Sequence, residues 1–469
     1  MYFTDPLTWG LWSGGLLLAL ICLRVPGRRH GNMRWLCPRV YFGIALFFIH
    51  VLTALQTMLT GFTCWGFLFP REFNLMLLAT VIGGAGFLLG WHRGVLQMPV
   101  ALTAAADGAG RGDVGARGEP GVPGEHAGST LPGQRAAEDA GVGAARGDGH
   151  YALRAYLLFL LVPPTVLVFR RGLPGGETWL TVFGFFLAAL VADALLFILA
   201  GLGARRRPRR WFFLAAGGFV MLLYLWVTFH STSRIRLLLL FLPLAGIWLY
   251  RRRGRGSSLR IILAASALLW FFAFWGNARF HVVSGGSRSL ATLWQVGGIH
   301  SVSGIFVRFL RAGDLDASEN GMLLMHVIPK WDDYLYGASF ASLFVLPIPR
   351  AWWPGKPAPA VTRVLVDRYR HANWNVAVSL VGEAYANLSW PAVLLAFLAL
   401  GYVSSRVYGA ALANRDRSEA WVHLGLYCAY MVMVVRGNFH SMTSFYLMVL
   451  VWLLGSAWIA RLLTFRVQR

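Results

Sequence analysis

Charge is scarce in this chain. Asp, Glu, Lys and Arg make up 13% of its 469 residues, where soluble proteins carry roughly 25%. The deficit excludes a soluble enzyme, a disordered scaffold and a fibrous protein. Lysine is nearly missing, with Lys330 and Lys356 the only two among 43 basic residues. Cysteine is rare as well. Cys22, Cys37, Cys64 and Cys428 show no C-x-x-C spacing, and Cys22 and Cys428 lie in apolar runs, so neither a zinc site nor a disulfide framework is expected. The first residues lack the basic stretch of a secretory signal. Residues 7–23 end in Arg24, Arg28 and Arg29 with no small-residue cleavage site, and they read as a retained anchor.

Apolar and aromatic surface is abundant. Hydrophobic residues are 57% of the chain and aromatics 14%, with 20 Trp, and Trp and Tyr suit the membrane–water interface. The class is an all-α polytopic membrane protein. In a soluble chain the net charge of +23 would point to nucleic acid. Here the bias of arginine toward cytoplasmic loops accounts for much of it, and no nucleic-acid partner is expected.

A crossing helix needs about 20 apolar residues, with tolerance to about 17, and by that measure about eleven transmembrane helices are expected. They lie near 7–23, 39–60, 74–91, 151–170, 178–204, 211–229, 235–250, 259–276, 390–409, 420–435 and 441–461. Arginines cluster after the first, fifth, seventh, ninth and last of these. Every second connection is therefore basic, which sets the N-terminus outside and the C-terminus in the cytoplasm. Five regions follow: helices one to three in 1–97, an insertion at 98–150, helices four to eight in 151–276, a large external loop with short amphipathic helices at 277–389, and helices nine to eleven in 390–469. The insertion is rich in Gly, Ala and Pro without an apolar period. Such a segment cannot bury enough surface to offset its ordering entropy and reads as a disordered cytoplasmic linker.

Chemistry is expected on the outer face. Asp193 is the mid-span acid, with either a pairing role toward an arginine of another helix or a direct functional one. Arginines on the outer face run against the positive-inside bias. They include Arg234 and Arg236 at the start of the seventh span, Arg350 within Pro349-Arg350-Ala351-Trp352-Trp353-Pro354-Gly355-Lys356-Pro357, and Arg436 in the short Arg436-Gly437-Asn438 turn. His230, His281 and His440 lie on the same face and are further candidates to accept a proton there. Asp314-Leu315-Asp316 has the form of a metal-binding acid pair, but on this side of the membrane nucleotide sugars are not expected and no metal site is assigned.

The combination of Pro349-Arg350, Trp353-Pro354-Gly355-Lys356-Pro357, Gly382-Glu383-Ala384-Tyr385-Ala386-Asn387, Ser233-Arg234 and Arg436-Gly437 resembles the Wzy-type oligosaccharide repeat-unit polymerases of O-antigen, capsule and exopolysaccharide synthesis. The resemblance spans roughly residues 229–460; the preceding part matches in hydropathy alone. The chain departs from the family pattern at Ile235, and at Leu388-Ser389-Trp390-Pro391, where family members tend to carry glycine. The resemblance implies a GT-C-like glycosyltransferase architecture in the bacterial cytoplasmic (inner) membrane. It also implies a substrate of oligosaccharide repeat units on undecaprenyl diphosphate, contact with membrane lipid, and a chain-length regulator as partner.

Such an enzyme needs cations to hold the diphosphate and stabilise the charge that develops as the glycosyl C–O bond breaks. Arginine suits this because its planar fork binds phosphate in bidentate fashion. Arg234, Arg350, Lys356 and Arg436 form the expected diphosphate set. Glu383 is either the base that takes the acceptor hydroxyl proton or a carboxylate that organises the arginines. Trp353, with Trp352, either stacks on sugar or anchors the loop at the interface. Tyr385 and Asn387 either position the acceptor or satisfy the start of a helix. No cofactor and no metal is required. Two other classes fit the topology: an O-antigen ligase-type transferase using the same donor, and a transporter or flippase for a lipid-linked sugar. A glycosyltransferase using polyprenyl monophosphate sugars is a further enzyme rival.

Overall fold

A computed structural model of the chain describes residues 5–26, 28–61, 69–97, 151–159, 177–204, 206–231, 234–252, 317–345 and 377–467, with isolated positions such as Trp353 between them. The regular structure among these residues is helical, with no strand. Eight of the described helices are long and apolar enough to cross a membrane: Pro6–Leu23, Asn32–Thr60, Pro70–Leu96, Gly184–Gly203, Arg207–Thr228, Leu380–Ala413, Ser418–Arg436 and Phe439–Leu463. The chain is a multi-pass membrane protein.

Of the about eleven expected spans, one is a shorter helix and two lie mostly outside the described residues. The one expected at 235–250 is a 14-residue helix, Leu238–Arg251, preceded by a 3-10 turn, Arg234–Leu237. At about 1.5 Å per residue the helix rises about 21 Å, and the 3-10 turn, at about 2.0 Å per residue, adds about 8 Å. Residues 151–159 of the expected span 151–170 are helical, and the rest lies outside the described residues. Most of 259–276, the insertion 98–150 and much of the loop 277–389 lie outside them too.

The helices are numbered here α1 (Pro6–Leu23), α2 (Pro38–Leu46), α3 (Thr53–Thr60), α4 (Pro70–Leu96), α5 (Glu177–Gly203), α6 (Arg207–Ser231), α7 (Leu238–Arg251), α8 (Ala317–Val327), α9 (Ala338–Val345), α10 (Leu380–Ala413), α11 (Ser418–Arg436) and α12 (Phe439–Val467). Asp5 caps α1, its carboxylate accepting the Leu7 N–H at 3.1 Å, and Pro6 fits the first turn because its missing N–H has no partner there anyway. A π-helical stretch, Phe47–Leu52, joins α2 to α3.

The chain divides into two compact units, Met1–Met98 with Trp226–Leu447, and Pro99–Leu225 with Met448–Arg469. The first is built around α4 and α10, whose backbones touch. A Cβ on Gly90 would collide with the Leu398 carbonyl oxygen, and one on Gly401 with the Phe87 carbonyl oxygen. Between membrane helices there is no hydrophobic driving force, so small residues that permit close backbone packing are what hold such a pair. Phe42 and Phe87 stack beside this contact at 3.8 Å between ring centroids, with Phe397 edge-on at 5.9 Å from Phe42.

Contact pairs also give helix directions within this unit. Thr8 meets Asn74 and Leu18 meets Gly84, so α1 runs parallel to α4. Gly83 meets Phe397 and Gly94 meets Ser405, so α10 runs the same way. Ser404 meets Tyr427, and Glu383 meets Phe439, so α11 runs against them. One end of the unit is then rich in arginine. There Arg39 donates to the Arg24 carbonyl at 2.6 Å, Arg406 to the Gln97 carbonyl at 3.0 Å, and Tyr250 to the Asp416 carbonyl at 2.9 Å.

In the second unit α5 is buried over most of its central turns. Asp193 lies there fully buried, and neither carboxyl oxygen has a hydrogen-bond partner. Among the described residues no arginine pairs with it. Buried Arg154 donates instead to the Leu453 carbonyl at 2.8 Å and to Ser456 Oγ at 3.3 Å, tying residues 151–159 to α12.

Candidate functional site

The motif around Glu383 is helical. Residues 380–389 were expected to close the external loop, but α10 starts at Leu380, with Ser379 as its N-cap accepting the Gly382 N–H at 3.3 Å. After two turns the helix breaks. Leu388 (φ −153°, ψ 34°) and Ser389 (φ 59°, ψ −145°) leave the helical region, and Trp390-Pro391 restarts it. Proline explains half of this, since it offers no N–H to the carbonyl four residues back and disfavours helix just before it. The other half is supplied from outside. The Ala386 and Asn387 carbonyls, released by the break, accept the Leu335 and Tyr336 N–H groups, each at 2.9 Å. Ser389 has the positive φ that glycine adopts freely and other residues rarely do.

Gly382 sets where this short helix lies. A Cβ there would sit 2.7 Å from Gly321 Cα, so α8 crosses α10 at backbone contact. Helix α8 is buried on nearly every side, and Asn320 pins it to the chain before α10 by donating to the Ala377 carbonyl at 2.9 Å.

Four residues apart on one helix, Glu383 and Asn387 share a face. Both are 1% exposed. Glu383 Oε2 accepts the Phe439 N–H at 2.6 Å, and Ser339 lies beside the same carboxylate. An acid at the first turn of α12 also suits the positive end of that helix. The Asn387 amide donates to Ser339 Oγ and to the Glu383 carbonyl, both at 2.7 Å. A carbonyl can only accept, so the amide nitrogen is fixed toward it. Asn387 Oδ1 is then left buried without a hydrogen-bond partner. Next to this lies a second polar link, Ser342 Oγ to His440 Nδ1 at 2.8 Å. Asn438 Oδ1 accepts the Val378 N–H at 2.8 Å, so the turn after α11 is bound to both sides of Ser379.

The expected site residues divide as follows. Glu383, Asn387 and Arg436 come to one end of the first unit. Arg436 is the last residue of α11 and is buried, three positions before the Phe439 N–H that Glu383 binds. Tyr385 is on the other side of α10, its ring 5.2 Å from Trp390 and 6.3 Å from Tyr334. Trp353 is 40% exposed. Arg234 has its backbone in the 3-10 turn before α7, while its side chain lies outside the described residues, as do Arg350, Lys356 and the Asp314-Leu315-Asp316 triplet. Arg236 lies with its guanidinium 4.9 Å from the Phe445 ring of α12. Ser339 and Ser342 were not expected. They sit three apart on a short helix within the loop, and no spacing in the sequence distinguishes them. Exposed rings cluster on the same loop segment, with Phe344 82% and Tyr336 71% accessible beside Trp331.

No protein-family model, curated protein or solved structure matches the chain.

Proposed function

We propose that the chain is a GT-C-like glycosyltransferase that polymerises undecaprenyl-diphosphate-linked repeat units into a surface polysaccharide at the outer face of the bacterial cytoplasmic membrane. One observation carries the reading. The segment holding Glu383 and Asn387 and the turn after Arg436, 56 residues apart at their bonded atoms, are joined by the Glu383–Phe439 hydrogen bond. These are two of the motifs on which the polymerase resemblance rests. They meet at the end of the unit away from the arginine-rich end, which is the cytoplasmic one by the positive-inside rule. The exposed Phe344, Tyr336 and Trp331 rings suit an interface with lipid at that same end.

In this reading the growing chain leaves its diphosphate and joins the non-reducing end of the next unit. Arg436, with Arg234, Arg350 and Lys356, holds the diphosphate and stabilises the leaving charge. Asn387 positions the acceptor side through its bonds to Ser339 and the Glu383 carbonyl, and Trp353 offers an exposed face for stacking. Of the two roles read for Glu383 we assign the organising one. Its carboxylate is buried behind Ser339 and the start of α12, where it fixes the turn that carries Arg436.

The test is purified protein in detergent with lipid-linked repeat units. A ladder of products supports polymerisation. Transfer that occurs only to a different acceptor indicates a ligase, and no new glycosidic bond indicates a transporter. Arg350→Ala and Arg436→Ala should abolish the ladder while membrane insertion persists. Activity lost to a chelator and restored by Mg²⁺ or Mn²⁺ would overturn the metal-free scheme.

A further inference from the structure

The Ser342–His440 pair decides more than packing. Ser342 Oγ lies 2.6 Å from the Ser339 carbonyl oxygen and 2.8 Å from His440 Nδ1. A hydroxyl has one proton, and a carbonyl oxygen can only accept. At 2.6 Å the Ser342 proton is committed to Ser339. Ser342 Oγ therefore accepts from His440, and it is Nδ1 of the ring that carries hydrogen. In the neutral imidazole the lone pair is then on Nε2. A histidine with Nδ1–H held by a fixed acceptor is oriented to take a proton at its other nitrogen.

His440 stands at the first turn of α12, one residue after the N–H that Glu383 binds and four after Arg436. The Phe439 ring packs edge-on against Phe340 of α9 at 5.1 Å, so the helix bearing Ser342 and the turn bearing His440 are held together at two adjacent points. Glu383, bonded to Phe439 N–H and lying beside Ser339, holds both partners of the pair in register.

We propose that His440 Nε2 is the proton acceptor of the transfer reaction, with Ser342 the positioning residue that sets its tautomer; this rests on the polymerase reading above. The acceptor hydroxyl oxygen forms a bond to the anomeric carbon of the donor chain. The bond from that carbon to the diphosphate oxygen breaks, its electron pair leaving with undecaprenyl diphosphate. The hydroxyl proton moves to Nε2, giving an imidazolium whose Nδ1–H still faces Ser342. Loss of that proton to water restores the neutral ring. Nothing in this scheme requires Nε2 to be unbonded at rest, since a hydrogen bond accepted there is replaced by the one from the substrate.

Asparagine separates the roles. In His440→Asn the amide nitrogen can occupy the position of Nδ1 and donate to Ser342, while the proton acceptor is gone. The ladder rate should fall by about 100-fold or more, with the variant eluting as a folded protein. Ser342→Ala, which frees the tautomer, should lose less than His440→Asn. A wild-type ladder rate in His440→Asn overturns the assignment. If wild-type protein makes no ladder, the polymerase reading itself fails, and the two failures are distinct. Nitrogen NMR of protein labelled in the histidine rings gives a readout independent of activity and of the variant's folding yield. At neutral ring charge the His440 signal should show hydrogen on Nδ1 and none on Nε2, and the mixture should shift in Ser342→Ala. Hydrogen on Nε2 in the wild type overturns the proposal.

Discussion

Replacing Glu383 tests both the fold of the site and the role given to that residue. In Glu383→Ala the Phe439 N–H loses the acceptor it now has at 2.6 Å, and buried Ser339 loses its carboxylate neighbour. A buried polar group left without a partner costs about 1–3 kcal/mol. Phe439 is only partly buried, so water compensates some of its share, and Ser339 is fully buried. Relief from burying a charge offsets part of the loss. The net expectation is a destabilisation of about 2–4 kcal/mol. Glu383→Gln keeps an oxygen for Phe439 N–H and should cost about 1 kcal/mol, a typical net hydrogen-bond contribution. Thermal unfolding in detergent, followed by loss of the monodisperse peak, should rank the proteins wild type, Gln, Ala. Polymer synthesis adds a second axis. An organising Glu383 leaves Glu383→Gln with most of its ladder-forming rate, whereas a proton-accepting one predicts a loss of 100-fold or more by the usual scale of base catalysis. An Ala variant as stable as wild type, or a Gln variant that folds yet makes no polymer, would refute the reasoning.

Other outcomes follow from the same contacts. Gly90→Val should destabilise the protein by about 1–3 kcal/mol, the scale of overpacking, because its side chain meets the Leu398 carbonyl; an unfolding midpoint equal to wild type contradicts the backbone contact of α4 with α10. Ser389→Gly should raise stability by about 1 kcal/mol, since glycine removes the cost of a positive φ, and a lowered midpoint would show that the serine side chain matters more than the backbone. Arg406→Ala, at the arginine-rich end, should leave the ladder at wild-type rate, and its loss would place chemistry at that end. Single cysteines at Tyr336 and Arg406 should react with a membrane-impermeant maleimide from opposite sides of intact cells, Tyr336→Cys from outside; labelling of both from one side overturns the orientation.

The membrane class was legible because it depends on composition averaged over long windows. A stretch of about 20 apolar residues is stable in lipid almost regardless of its neighbours, and eight of the expected spans coincide with long apolar helices. The 235–250 span was harder to read, because hydropathy does not distinguish a helix from a 3-10 turn followed by a shorter helix. The burial of residues 380–387 was not legible either. These two helical turns hold Glu383 and Asn387, and their burial depends on α8, α9 and α12, which arrive from elsewhere in the chain.

Sequence alone therefore determined that the chain is helical, that it crosses a membrane many times, and that its arginines favour one end. These are local or additive properties of side chains in lipid and water. Tertiary structure decided which polar groups meet. It brought Ser339 and Ser342 to Glu383 and His440, opened the carbonyls of Ala386 and Asn387 to a distant loop, and left one oxygen of Asn387 and both of Asp193 without a bond. Hydrogen bonds act over about 3 Å, so Ser342 and His440, 98 positions apart, acquire a shared chemistry only because packing closes that distance.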